Sequence, residues 1–270
     1  MRYITILNMS GRICTMLGIF LLVKSPDDYI LAAFLQACTP LIAGIFSIVW
    51  LRKRYTGLFK WPTIGEIINS YKEGWSIFVS SLAVNLYTAT NIVVLGMLTN
   101  NVIVGYYSAA DKLITCVRRG IYAVSDAIYP FISKMMKDDI SKGLQFIKKQ
   151  IFLYLVVGLI GCTSLFFFSD TIVKLLFGAD YNLTVDVLRI LSFVPLAVAI
   201  STVFGEETML PLNMNSAYSR TLVLAAFFSL LSIFPLCYLW GAKGVAMTML
   251  LTEFLIMIIM GGLLRKQLFQ

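Results

Sequence analysis

Two adjacent arginines, Arg118 and Arg119, stand near the middle of a long apolar run, with Asp111 and Lys112 before them and Asp126 after. Guanidinium groups are planar, permanently charged and forked, which suits bidentate recognition of a phosphate or diphosphate. Other chemistries find little support. The chain has no histidine, so it lacks the commonest general base and the commonest metal ligand. Its five cysteines, Cys14, Cys38, Cys116, Cys162 and Cys237, lie singly inside hydrophobic runs and read as small packing residues. The longer hydrophilic stretches carry no acidic pair or glycine-rich phosphate cradle of the kind sugar-nucleotide chemistry uses. No catalytic residue, metal or cofactor is expected, and anion binding is the chemistry that remains.

The elements that position these residues follow from composition. Of 270 residues, 59% are hydrophobic and only 13% charged, with a mean hydropathy of +0.85. Soluble domains sit nearer 45–50% apolar and about 25% charged, so the bilayer is the expected solvent. A spanning helix needs about 20 mostly apolar residues. The pattern predicts an all-α, polytopic membrane bundle of about eight helices, near 3–23, 29–51, 74–98, 103–133, 151–168, 185–205, 221–239 and 244–264. The first is too long, and carries Arg12 too deep, for a cleaved leader. Residues 169–182 (SDTIVKLLFGADYN) are expected to form a short interfacial helix stopped by Gly178.

Orientation follows from Lys and Arg. Residues 52–73 hold Arg52, Lys53, Arg54, Lys60 and Lys72, and residues 134–150 hold Lys134, Lys137, Lys142, Lys148 and Lys149. The alternate connections hold only Lys24, Lys174 and Lys243. This contrast places both termini and the basic stretches in the cytoplasm. The net charge of +8 is thus an orientation signal, and no nucleic-acid partner is expected.

Projected on a helix, Asp111, Lys112, Arg118, Arg119, Tyr122 and Asp126 share about one third of the circumference. Ser125 falls off that face. Charges at mid-bilayer cost at least about 2.5–3.5 kcal/mol each on insertion scales, so they must pair or line a wet cavity. Snorkelling relieves the ends of this segment but not Arg118 and Arg119 at its middle. Polar partners stand on other helices: Arg12 on the first, Asn85 on the third and Glu253 on the last. The span charges lean positive, which predicts a cationic cavity for an anionic substrate, formed by Arg118, Arg119, Lys112 and Arg12.

The run Gly105-Tyr-Tyr-Ser-Ala-Ala-Asp-Lys112 resembles the signature of the polysaccharide-biosynthesis flippases, the O-antigen-unit (Wzx-type) transporters of the multidrug/oligosaccharidyl-lipid/polysaccharide exporter superfamily. Ser80-Ser-Leu82 with Asn91, Leu175-Leu-Phe-Gly-Ala-Asp-Tyr181 and Trp240-Gly-Ala-Lys-Gly244 resemble the same family. The resemblance implies transfer of an undecaprenyl-diphosphate-linked oligosaccharide from the cytoplasmic to the periplasmic leaflet of the bacterial inner membrane. It implies a monomer acting by alternating access, beside a polysaccharide polymerase and chain-length machinery. Ion coupling in that superfamily points to Asp111, Asp126 or Glu253, with Asn85 and Tyr122 as further polar positions in the cavity.

Against the family's usual twelve or so helices, the resemblance assigns 1–51 to two helices of an N-terminal lobe, 52–73 to a cytoplasmic basic loop and 74–270 to a six-helix C-terminal lobe. The expectation is then a chain without the first four helices, or a truncated copy that does not transport. A drug or cation exporter of the same superfamily is the alternative within transport, and calls for an acidic cavity. A membrane glycosyltransferase or polymerase needs a catalytic carboxylate or a large external loop, and the external connections are short.

Overall fold

A backbone in hydrocarbon must satisfy every N–H and C=O within its own segment or within a closed barrel, and the helical periodicity of this chain selects the first solution. The computed structural model describes residues 2–25, 28–54, 62–178 and 180–269, and these form helices and connections with no strand among them. The helices are α1 (Arg2–Leu22), α2 (Tyr29–Arg54), α3 (Ile64–Leu98), α4 (Asn101–Asp138), α5 (Ile140–Phe177), α6 (Asn182–Leu191), α7 (Val194–Phe204) and α8 (Asn215–Phe269). A π-helical turn, Gly205–Met209, follows α7.

Four described stretches are long and apolar enough to cross a membrane: Ile77–Leu98, Ile140–Phe177, Asn182–Met209 and Asn215–Arg265. The protein is therefore a multi-pass membrane protein. The last stretch contains two arms, because Gly241 interrupts α8 with φ 56° and ψ −129°, a backbone state that L side chains rarely adopt. The arms fold back tightly enough that a Cβ on Gly244 would overlap the Leu236 carbonyl oxygen. The helix α4 stands outside the four although it has 38 residues. Its charged face lowers its hydropathy, so the bilayer criterion that flags its neighbours passes it over.

The chain divides into two units, Met1–Ile67 and Ile68–Gln270. In the first, α1 packs on α2, with Gly18 against the Leu35 side chain. In the second, α3, α4, α5, the α6–α7 pair and the two arms of α8 alternate in direction. Two buried clusters establish this. One joins Leu95, Tyr107, Ile114, Val173, Leu188, Cys237 and Val245 near the α3–α4, α5–α6 and Gly241 turns. The other joins Tyr87, Ile132, Ile147, Met209, Leu222 and Met260 near the α4–α5 and α7–α8 turns. Cys237 meets the level of Val245, and Leu222 that of Met260, as antiparallel arms require.

Two expectations change. Residues 169–177 continue α5 instead of forming a separate interfacial helix, and Gly178 at φ 98° ends it. Ser169 and Val173 are fully buried, so bundle packing holds this turn in line. The basic stretches expected as loops are largely helical where they are described, with Pro62, Thr63 and Asp139 outside the helices. The helix α2 runs to Arg54, α3 starts at Ile64, and a single residue, Asp139, separates α4 from α5. Residues 55–61 lie outside the described residues. Helices that overshoot the hydrocarbon keep their backbone bonds in water, where surface lysines are solvated.

Candidate functional site

The polar face of α4 is set by both ends of the helix. The Asn100 side chain accepts from the Ile103 N–H at 3.0 Å and starts it, and the Asp139 N–H donates to the Met135 carbonyl at 2.8 Å and closes it. Between these caps, Tyr107, Ala110 and Ile114 are buried on one side. The other side opens on a cavity of about 850 Å³. Its walls are Ser80, Ser81, Asn85 and Thr88 from α3, then Arg118, Arg119, Tyr122, Asp126 and Tyr129 from α4, with Glu206 and Tyr218 beyond α7.

The two arginines part company. Arg118 is buried, and its Nη2 lies 3.5 Å from Glu253 Oε1 on the second arm of α8. Tyr87 on α3 donates to the same Glu253 oxygen at 3.1 Å, and Arg118 Nη2 reaches the Tyr122 hydroxyl at 3.5 Å. This network ties α3, α4 and α8 together between the two apolar clusters. Arg118 Nε has no hydrogen-bond partner among the described residues. Arg119 is exposed to the cavity and has no ion-pair partner among the described residues. Of the two cations lining the cavity, Arg119 is the one without an ion pair among the described residues.

The cavity is not uniformly cationic, contrary to the expectation from span charges. Arg118 and Arg119 line one end, Asp126 and Glu206 the other, and Arg118 is already neutralised by Glu253. Lys112 is exposed and is not among the lining residues, and Asp111 is half-buried on α4 outside the lining. Arg12 is exposed on α1, in the unit Met1–Ile67. Asn85 lines the wall while its Nδ2 donates to the Ser81 carbonyl at 2.8 Å.

Reading the helices alone missed the carboxylates of the π-turn. Glu207 is fully buried, and the Ser125 hydroxyl donates to its Oε1 at 2.6 Å, which accounts for Ser125 lying off the polar face. Glu207, Gln150 and Tyr154 form a buried polar group around the turn, its contacts through Gln150 looser than an ordinary hydrogen bond. The signal was present in sequence: Glu206-Glu207 follows the apolar run of α7 at once, with no base beside it.

Residues 1–136 match the family described as polysaccharide biosynthesis protein. Two proteins named "Putative O-antigen transporter" are similar over 95% of this chain, one from Shigella dysenteriae at 31% identity and one from Escherichia coli (strain K12) at 29%. A "Probable low-salt glycan biosynthesis flippase" of Haloferax volcanii is 22% identical over 89% of the chain and half of its own length. The chain spans 63% and 62% of the length of the first two relatives. No solved structure matches it.

Proposed function

Since the chain belongs to the polysaccharide biosynthesis protein family, we propose that it moves a lipid-linked oligosaccharide across the bacterial inner membrane, with the diphosphate held at Arg119. The observation that carries this reading is a guanidinium at mid-helix that opens on a polar cavity and has no ion pair among the described residues. A diphosphate supplies the counter-charge that a cation in that position needs. On the α3 wall the Ser81 hydroxyl and the second N–H of Asn85 are donors for the phosphate oxygens and first sugar hydroxyls, while Thr88 donates to the Val84 carbonyl.

Arg118 has a different part in this reading. It is held by Glu253, and a phosphate arriving beside it competes for the same guanidinium. Proton uptake by Glu253 would release Arg118 to the substrate, so Glu253 is the coupling group that fits best. Alternating access requires a second half moving against the six-helix unit. The substrate is a glycolipid by analogy with the names of the relatives. A drug- or cation-exporting role draws on Asp126 and Glu206 in the same cavity, but it leaves Arg119 facing a ligand of like charge.

The test is Arg119→Ala in the intact chain, reconstituted in nanodiscs and titrated with undecaprenyl diphosphate. The expected result is a loss of affinity of about tenfold or more with the unfolding midpoint unchanged. Unaltered binding would count decisively against the assignment.

A further inference from the structure

We infer that the end of the cavity around Asp126 and Glu206 is a glycan subsite that accepts neutral or amino sugars and rejects acidic ones. The inference rests on the reading that a lipid-linked diphosphate sits at Arg119, and extends it to the sugars attached. Arg119 and Asp126 are two helical turns apart on α4. At 1.5 Å per residue they are separated by about 10 Å of helix axis, room for one or two sugar rings. Tyr122 lines the wall between them, and Tyr129 and Tyr218 line it beside the acids.

This is the combination that sugar recognition uses. Carboxylates accept hydrogen bonds from neighbouring hydroxyls, while tyrosine covers the apolar face of a ring and keeps its hydroxyl at the edge. The cavity is roomy enough for that ligand at about 850 Å³. Glu206 is half-buried and Asp126 exposed to the cavity. Neither carboxylate has a cation partner among the described residues, where the ion pairs are Arg118–Glu253, Lys142–Asp139, Lys174–Asp170 and Lys243–Asp186. Of the two arginines in the cavity, Arg118 is taken up by Glu253, and Arg119 stands two turns away at the other end.

The cavity is thus divided into a cationic end at Arg119 and an anionic end at Asp126 and Glu206. A uronic acid close to the diphosphate meets two like charges in a recess where screening is weaker than in bulk water. A neutral or amino sugar meets none. Specificity then comes from repulsion at one end as much as from attraction at the other.

The experiment titrates the intact chain in nanodiscs with three probes. These are undecaprenyl diphosphate alone, the same lipid carrying a neutral disaccharide, and the same lipid carrying a disaccharide that contains a hexuronic acid. Wild type is expected to bind the neutral glycolipid about tenfold more tightly than the acidic one. Asp126→Asn combined with Glu206→Gln is expected to bring the two within about twofold, and the ratio cancels any general loss of folded protein. Equal wild-type affinities, or a ratio unmoved in the double variant, overturn the subsite. A wild type that ignores the bare lipid yet separates the two glycolipids keeps this subsite and overturns the diphosphate site. Binding of none of the three overturns both.

Discussion

Arg118 and Glu253 are a buried pair, with side chains 10% and 4% exposed. Such a pair is worth little against apolar residues of the same shape, but removing one partner strands the other charge and costs about 3–5 kcal/mol. Arg118→Met is therefore expected to lower unfolding stability in detergent by about 3–5 kcal/mol. Adding Glu253→Gln removes the stranded charge and leaves Tyr87 an acceptor, so the double variant is expected to recover most of the loss. A double variant no more stable than the single would show that the two side chains are not energetically coupled. The adjacent Arg119 has no such partner among the described residues, and on the proposed reading its removal costs binding and not stability. The wheel of α4 put both arginines on one polar face and could go no further. What separates them is Glu253, on a helix remote in sequence, and no spacing within α4 reveals which of two neighbouring arginines it meets.

The α4–α5 hairpin turns on one residue. Asp139 ends α4 through its N–H and caps α5 through its carboxylate, whose Oδ1 accepts from the Lys142 and Ser141 amides at 3.3 and 2.9 Å. The Lys142 amide first, and the Ser141 amide and Lys142 ammonium with it, hold this carboxyl below the usual range. The folded pKa is lowered relative to the unfolded one. The cap therefore contributes fully above the ordinary aspartate value of about 3.9 and fades as pH falls through the lowered folded value. Amide protection at Ser141–Gly143, corrected for intrinsic exchange, is expected to hold steady from about pH 7 to about pH 5 and to fall below about pH 4. Asp139→Asn should show no such fall, and an equal fall in both proteins would remove the carboxylate from the account. The element also shows how hydropathy misplaces boundaries. It located every apolar segment, because apolar runs are what it measures. It stopped α4 and started α5 where charge intervened, whereas α4 runs on through Lys134 and Lys137 to Asp138 and α5 starts before Lys142.

At the scale of the whole second unit, the six alternating segments leave two ends of unlike charge. Alternation was legible in the short connections, and the Gly241 turn in Trp240-Gly-Ala-Lys-Gly244, where a left-handed backbone needs glycine. The division of charge within the cavity was not, because Glu206 enters it from a π-turn that apolar counting had closed at Gly205. At the end with the α4–α5 turn, Lys134, Lys137, Lys148 and Lys149 have no carboxylate partner among the described residues. At the opposite end, Lys174 and Lys243 are bound to Asp170 and Asp186 at 2.8 and 2.7 Å. Unpaired positive charge is thus more one-sided in the folded protein than a count of lysines suggests. Single cysteines placed on a cysteine-free background at Lys137 and at Asn101, both exposed positions near opposite ends of α4, read this directly. In intact cells a membrane-impermeant maleimide is expected to label Asn101→Cys and to reach Lys137→Cys only after the membrane is opened. The reverse pattern, or equal labelling of both, would remove the cytoplasmic placement of the basic end. It would also reverse the direction in which Asp126 and Glu206, which lie between Arg119 and that end, meet the incoming glycan.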